Sequence, residues 1–209
     1  MQLQKRKPNR LKNYDYSQNG AYFITICTKD RKPILSHIPV GEGLAPPEHL
    51  GLAPPELSPF GECIKEQIEN IEKRFDNVII DNYVIMPNHI HILMRIECNS
   101  GGASTQHTGG ASPQHAGGAS TQHAGGASPQ HAGGASPSPT VSDVVCAFKS
   151  LATVECKKIL PIETLFQRSF YDHIVRNDMD YQNIWQYIDD NPRKWTEDKL
   201  YPVSEEQCK

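Results

Sequence analysis

The residues best placed by type and spacing to do chemistry are His89 and His91, in the run Met86-Pro87-Asn88-His89-Ile90-His91-Ile92-Leu93-Met94. In a β-strand the side chains at i and i+2 share a face. The two imidazoles therefore project together, while Ile90 and Ile92 point into a core. Two neutral imidazoles on one face of a rigid strand make a pair of ligands for one divalent metal ion. By themselves the same residues also fit a purely structural role.

A second set lies near the C-terminus. The sequence predicts a helix that starts at Asn177 or Asp178, runs to about Asp190 and stops near Pro192. At 100° per residue, Tyr181, Ile184, Trp185 and Ile188 form one apolar stripe. Tyr187 and Asn191 share another face, roughly 90° away, at i and i+4. Beside a metal held by His89 and His91, that face offers a phenol, which is a nucleophile, and an amide oxygen as a candidate third ligand. The same two residues also suit a packing tyrosine at the stripe's edge and a helix terminator before proline.

Positioning these groups requires a sheet and helices. Ala21 to Thr28 has strand composition, as do Val78 to Met86, with Asp81-Asn82 as a bulge or turn, and Ile90 to Ile96. Phe60 to Phe75 carries Ile64, Ile68 and Ile71 at helical spacing. Ser142 is the expected N-cap of a further helix, with Asp143 in its first turn and Val145, Phe148, Ala152 and Cys156 on its apolar side through Lys158. Leu165 to Val175 reads as another strand. Few strands with helices between them predict an α+β, ferredoxin-like sandwich, an antiparallel sheet with helices packed on one face.

Composition bounds the rest. A chain of 209 residues suggests a single domain, here with two low-complexity insertions. Residues 41–58 are Pro-rich and repeat Gly-Leu-Ala-Pro-Pro-Glu after eight residues. Residues 99–140 repeat Gly-Gly-Ala-Ser-(Thr/Pro)-Gln-His every eight residues and contain no charge. Such a composition cannot bury enough apolar surface to offset chain entropy, so the second insertion is expected to be a disordered loop. Its histidines, His107, His115, His123 and His131, sit on flexible spacers that do not preorganise ligands. Eight residues correspond to twenty-four nucleotides, which suggests tandem DNA repeats expanded within the gene. Deleting residues 101–136 is then expected to leave folding and activity largely intact, and loss of soluble expression would contradict this.

The net charge of −3 gives no overall argument for nucleic acid. The arm of residues 1–12, however, carries Lys5, Arg6, Lys7, Arg10 and Lys12 without an acid, and can follow a phosphate backbone as well as it can lie solvated. The six cysteines show no zinc-like spacing, and Cys27, Cys146 and Cys156 read as small buried hydrophobes. With no apolar signal core and no membrane-length run, the chain reads as soluble and cytoplasmic, with no membrane partner.

Five blocks taken in order carry a resemblance. They are Lys12-Asn13-Tyr14-Asp15-Tyr16 with Tyr22 to Thr28; Tyr83 to His91; Ala147-Phe148-Lys149-Ser150; Phe166 to Asn177; and Tyr187-Ile188-Asp189-Asp190-Asn191-Pro192. Together they resemble the single-tyrosine HUH transposases, and most closely their REP-associated tyrosine transposase branch. The resemblance covers nearly all of the chain except the two insertions.

The resemblance implies a transposase: a metal-dependent single-stranded DNA endonuclease and strand transferase acting on hairpin or palindromic DNA. It implies Mg²⁺ or Mn²⁺ at His89 and His91, with Asn191 as third ligand. It implies attack by Tyr187 on a phosphodiester, giving a 5′-phosphotyrosine link and a free 3′-OH. Imidazole suits Mn²⁺ better than Mg²⁺, so Mn²⁺ is expected to support activity at least as well. Lys5, Arg6, Lys7, Arg10, Lys149, Arg168, His173 and Arg176 are the candidate DNA contacts. Lys149 and Arg168 also read as plain surface charges. His173 reads equally as a group that orients the phosphate or the tyrosine, or as a buried structural histidine.

The resemblance allows a monomer or a homodimer. A catalytically inactive hairpin-binding protein of the same fold is the alternative. A metallohydrolase is a third reading, disfavoured because further ligands at strand ends are not evident.

Overall fold

Strand β1 (Gly20–Cys27) is a central strand of the sheet, and its alternation sets up both faces of the protein. Tyr22, Ile24 and Ile26 are fully buried on one face, while Phe23 and Thr25 look the other way. The structure is a computed structural model, and it describes residues 14–39, 55–97 and 139–202. The basic arm, with Lys5, Arg6, Lys7 and Arg10, lies outside the described residues, as do residues 40–54 and 98–138.

The other elements follow in chain order. β2 (Ser36–His37) pairs with β3 (Glu56–Leu57), so the Pro-rich 41–58 stretch ends in ordered structure. Helix α1 (Pro59–Glu69) is followed by the short α2 (Ile71–Arg74), then by β4 (Val78–Ile85) and β5 (His89–Ile96). Helix α3 (Val141–Ile159), β6 (Tyr171–Val175) and α4 (Asp178–Asp190) complete the fold. The main sheet runs β4-β5-β1-β6, and every neighbouring pair is antiparallel. The long elements thus come in β-α-β-β-α-β order followed by α4, in an α+β protein.

Local chemistry explains where the helices begin. Ser58 caps α1 by accepting from the Gly61 N–H at 3.1 Å, with Pro59 in the first turn, where its missing N–H costs nothing. A Cβ on Gly61 would lie 2.1 Å from the Leu35 carbonyl oxygen, so only glycine lets the helix approach this close. Helix α3 starts two residues earlier than the sequence predicts. Thr140, rather than Ser142, is its N-cap, in a reciprocal capping box with Asp143.

The core on the Tyr22 face joins Ile24, Ile26, Ile90, Ile92, Met94 and Ile96 of the sheet to Ile64 and Ile68 of α1 and to Val144, Val145 and Phe148 of α3. Cys146 follows Val145 by one helical step, about 100° round the axis, and is exposed rather than buried. A second cluster lies on the opposite face, where Ile184 and Ile188 of α4 pack on Leu93, with Phe23 and Val84 beside them. The expectation of helices on one face is therefore corrected: α4 covers the face that carries Phe23, His91 and Leu93.

Two further expectations change. Trp185 is 39% exposed, so the buried side of α4 is carried by Ile184 and Ile188. The predicted strand from Leu165 shortens to β6, because Leu165 and Phe166 enter the core and only Phe166 bridges Thr28. The chain between is held by Lys149, whose ammonium donates to the carbonyls of Gln167 at 2.6 Å and Arg168 at 2.9 Å.

The bulge foreseen at Asp81-Asn82 is present in β4. It turns the Asp81 carboxylate to Arg95, at 2.8 and 3.0 Å, and lets the Asn82 amide donate to Asp189 of α4 at 2.9 Å. Among the described residues no helix is long and apolar enough to cross a membrane.

Candidate active site

Strand periodicity puts His89, His91 and Leu93 on the α4 face, and Ile90 and Ile92 on the core face. Both imidazoles are buried, and their Nε2 atoms face each other at 3.0 Å. His89 Nδ1–H donates to Asn88 Oδ1 at 2.8 Å. Asn88 in turn donates its amide to the Leu200 carbonyl at 2.7 Å, which fixes which end of the amide is the acceptor. The neutral His89 ring therefore has a bare Nε2.

A bare Nε2 on His91 as well would set two lone pairs against each other at this distance, so the His91 Nε2 carries the proton. Its Nδ1 then accepts from the Thr25 hydroxyl at 2.9 Å. Burial holds the His89 pKa down to about 4 and pushes His91 well below its usual range. Both rings are thus neutral at pH 7, the state in which imidazole binds metals.

The segment beyond α4 closes over this pair. Residues 191–194 turn, Trp195–Glu197 forms a short 3₁₀ turn, and Trp195 is buried with its ring 5.9 Å from that of His89. The next residue but two is Asp198. One ligand atom each from His89, His91 and Asp198 lies within 4.8 Å of the others, a group that could hold a metal ion. Asp198 and Trp195 were not foreseen, because residues 193–202 carry no periodicity that would place them. Asn88 left a faint signal, since a metal-binding histidine needs a partner on its other nitrogen.

Tyr187 projects from α4 toward the pair. Its hydroxyl lies 3.5 Å from His91 Nε2, and its ring meets Phe23 edge-on at 5.9 Å. Partial burial raises the phenol's pKa, assisted by the Asp198 charge and opposed by a hydrogen bond from Asn191. Asn191 is buried, and its Oδ1 has no hydrogen-bond partner, although such an atom normally finds one. Tyr187, His91 and Asn191 line one cleft of about 400 Å³ together with Phe23, Thr25 and Tyr171, and with Lys194, Lys199 and Asp198 on the rim.

Two neutral imidazoles and a carboxylate make a donor set that could hold a metal ion.

The other foreseen residues lie elsewhere. His173 is exposed, not buried, and pairs with Asp180 in the first turn of α4 at 2.9 Å. Arg176 is exposed, and its backbone N–H donates to the same carboxylate. Lys149 and Arg168 belong to α3 and the loop it holds, away from the cleft lining.

The fold and site define an α+β protein whose central sheet carries a His-x-His pair beneath a tyrosine-bearing helix. No family model matches the chain. It is 32% identical over 197 residues to a Haemophilus influenzae protein described only as uncharacterized, covering 94% of this chain and 93% of that one. The chain belongs to that protein's family.

Among solved structures it has the fold of a REP-associated tyrosine transposase bound to a REP hairpin. The TM-score is 0.51 at 16% identity, over 89% of this chain and 74% of that one. A Deinococcus radiodurans protein described as a transposase candidate aligns with TM-score 0.40 and 14% identity, over 87% of this chain and 95% of that one.

Proposed function

We propose that this protein is a single-tyrosine HUH transposase: a metal-dependent endonuclease and strand transferase for single-stranded DNA, acting beside a hairpin. The observation that carries the reading is the Tyr187 hydroxyl 3.5 Å from His91 Nε2, in a cleft that Tyr187 and His91 both line, with His89 buried behind His91 at 3.0 Å. The β-α-β-β-α-β order and the shared fold with a hairpin-bound transposase support it.

His89, His91 and Asp198 would hold the ion, with the unpaired Asn191 oxygen as a further donor. When bound, the ion supplies Lewis-acid polarisation of the scissile phosphate. The protein supplies orientation. Phe23 and His91 hold the Tyr187 ring. The Asn191 amide donates to the phenol oxygen and so favours the anion, against the burial that disfavours it.

In the reaction Tyr187 Oη bonds to phosphorus and the bond from phosphorus to the 3′-oxygen breaks. The phenolic proton balances the leaving oxygen, which departs as a 3′-OH. The phosphotyrosine conserves the bond energy, so a 3′-OH can reverse the attack on another strand.

The test is a denaturing gel of oligonucleotides spanning the palindromes beside this protein's own gene, with Mn²⁺, Mg²⁺ or EDTA. A metal-dependent covalent protein–DNA band, lost in Tyr187→Phe, is the expected result. A native-gel shift with no covalent band under any metal would establish the inactive hairpin-binding alternative.

A further inference from the structure

The cleft holds a second aromatic group that the cleavage chemistry does not use. Tyr171, the first residue of β6, is 57% exposed, against 46% for Tyr187. It stands opposite Thr25 on β1, and Thr25 stands opposite His91 on β5. Tyr171, Thr25 and His91 therefore form one row across three strands and share the α4 face. At the usual strand spacing, roughly 10 Å separates the two ends of the row. β6 is the edge strand, so nothing in the sheet flanks Tyr171 on its outer side. Lys194 and Lys199 line the same cleft.

We propose that Tyr171 is a stacking platform for the base next to the scissile phosphate, with Lys199 and Lys194 facing the flanking phosphates. This rests on the transposase reading and names the part of the DNA that the cleft grips. An exposed phenol ring two strands from His91, in the cleft that Tyr187 also lines, offers a flat π-face to an unpaired nucleotide entering that cleft. Stacking accepts any base, so the platform fixes the position of the strand rather than its sequence. Glu197 on the same rim opposes phosphate, which leaves stacking as the main grip at this point.

The experiment uses the full chain in EDTA and a hairpin oligonucleotide with a single-stranded extension. The fluorescent base 2-aminopurine is placed at each unpaired position in turn. One position should be quenched on binding. Tyr171→Leu should abolish that quench and weaken binding about tenfold, whereas Tyr171→Phe should keep both. An equal quench and affinity in Tyr171→Leu, or no quenched position in the wild type, overturns the platform. Tyr171→Phe, which keeps the ring, and a thermal melt of each variant separate loss of stacking from loss of fold. The covalent-band assay with Mn²⁺ is read separately. A lost quench in Tyr171→Leu without a covalent band in the wild type would retain the platform and reject the nuclease reading.

Discussion

Asn88 binds His89 with one end of its amide and the Leu200 carbonyl with the other, at 2.8 and 2.7 Å. One side chain thus sets the tautomer of a proposed ligand, His89, and ties down the segment that carries Asp198. Asn88→Ala should lower Mn²⁺ affinity by about 10- to 100-fold, the usual effect of losing a ligand's supporting partner. Titration calorimetry of the two proteins measures it, and unchanged affinity would contradict this role.

Tyr187→Phe removes a single oxygen from a half-exposed ring. Stability should stay within about 0.5 kcal/mol of wild type by urea denaturation, while the covalent DNA band disappears.

The buried imidazoles make stability depend on pH. Above about pH 6.5 both rings are neutral in the folded and unfolded chain. As pH falls from there toward 4, the unfolded chain takes up protons that folded His89 and His91 refuse, so stability is lost. In EDTA, wild type should lose more stability between pH 7 and pH 5 than His89→Gln/His91→Gln does. Equal losses would show that the pair is not responsible.

Ile188, the residue after Tyr187, is 1% exposed and packs on Leu93. Ile188→Ala should cost about 2–5 kcal/mol of stability, read by urea denaturation. Under the proposed function DNA cleavage should fall as well, because the same contact seats the helix that carries Tyr187.

Gly61→Ala improves helix propensity, yet its Cβ would meet the Leu35 carbonyl at 2.1 Å. Backbone cannot yield as a flexible side chain can, so a lower melting temperature is expected. A rise would show that α1 can shift outward.

Strand alternation made the His89/His91 pair and its facing core legible, because a period of two leaves one choice of face. The i, i+4 placement of Tyr187 and Asn191 survived for the same kind of reason. Periodicity does not say which side of a sheet a helix takes, and α4 lies on the side that was not expected. Trp185 looked equivalent to Ile184 in a stripe, but it is 39% exposed, whereas Tyr181 packs partly buried against the Leu93 cluster. Asp198 was invisible because it arrives on irregular chain held by a hydrogen bond from Asn88, more than a hundred residues earlier.

The Thr25 hydroxyl has a consequence for how an ion arrives. If the proposed ion takes both Nε2 atoms, the proton on His91 moves to Nδ1, and Thr25 turns from donor to acceptor. The number of protons on the pair does not change. Ion uptake at neutral pH should therefore release none to solvent, and its heat should be the same in buffers of different ionisation enthalpy.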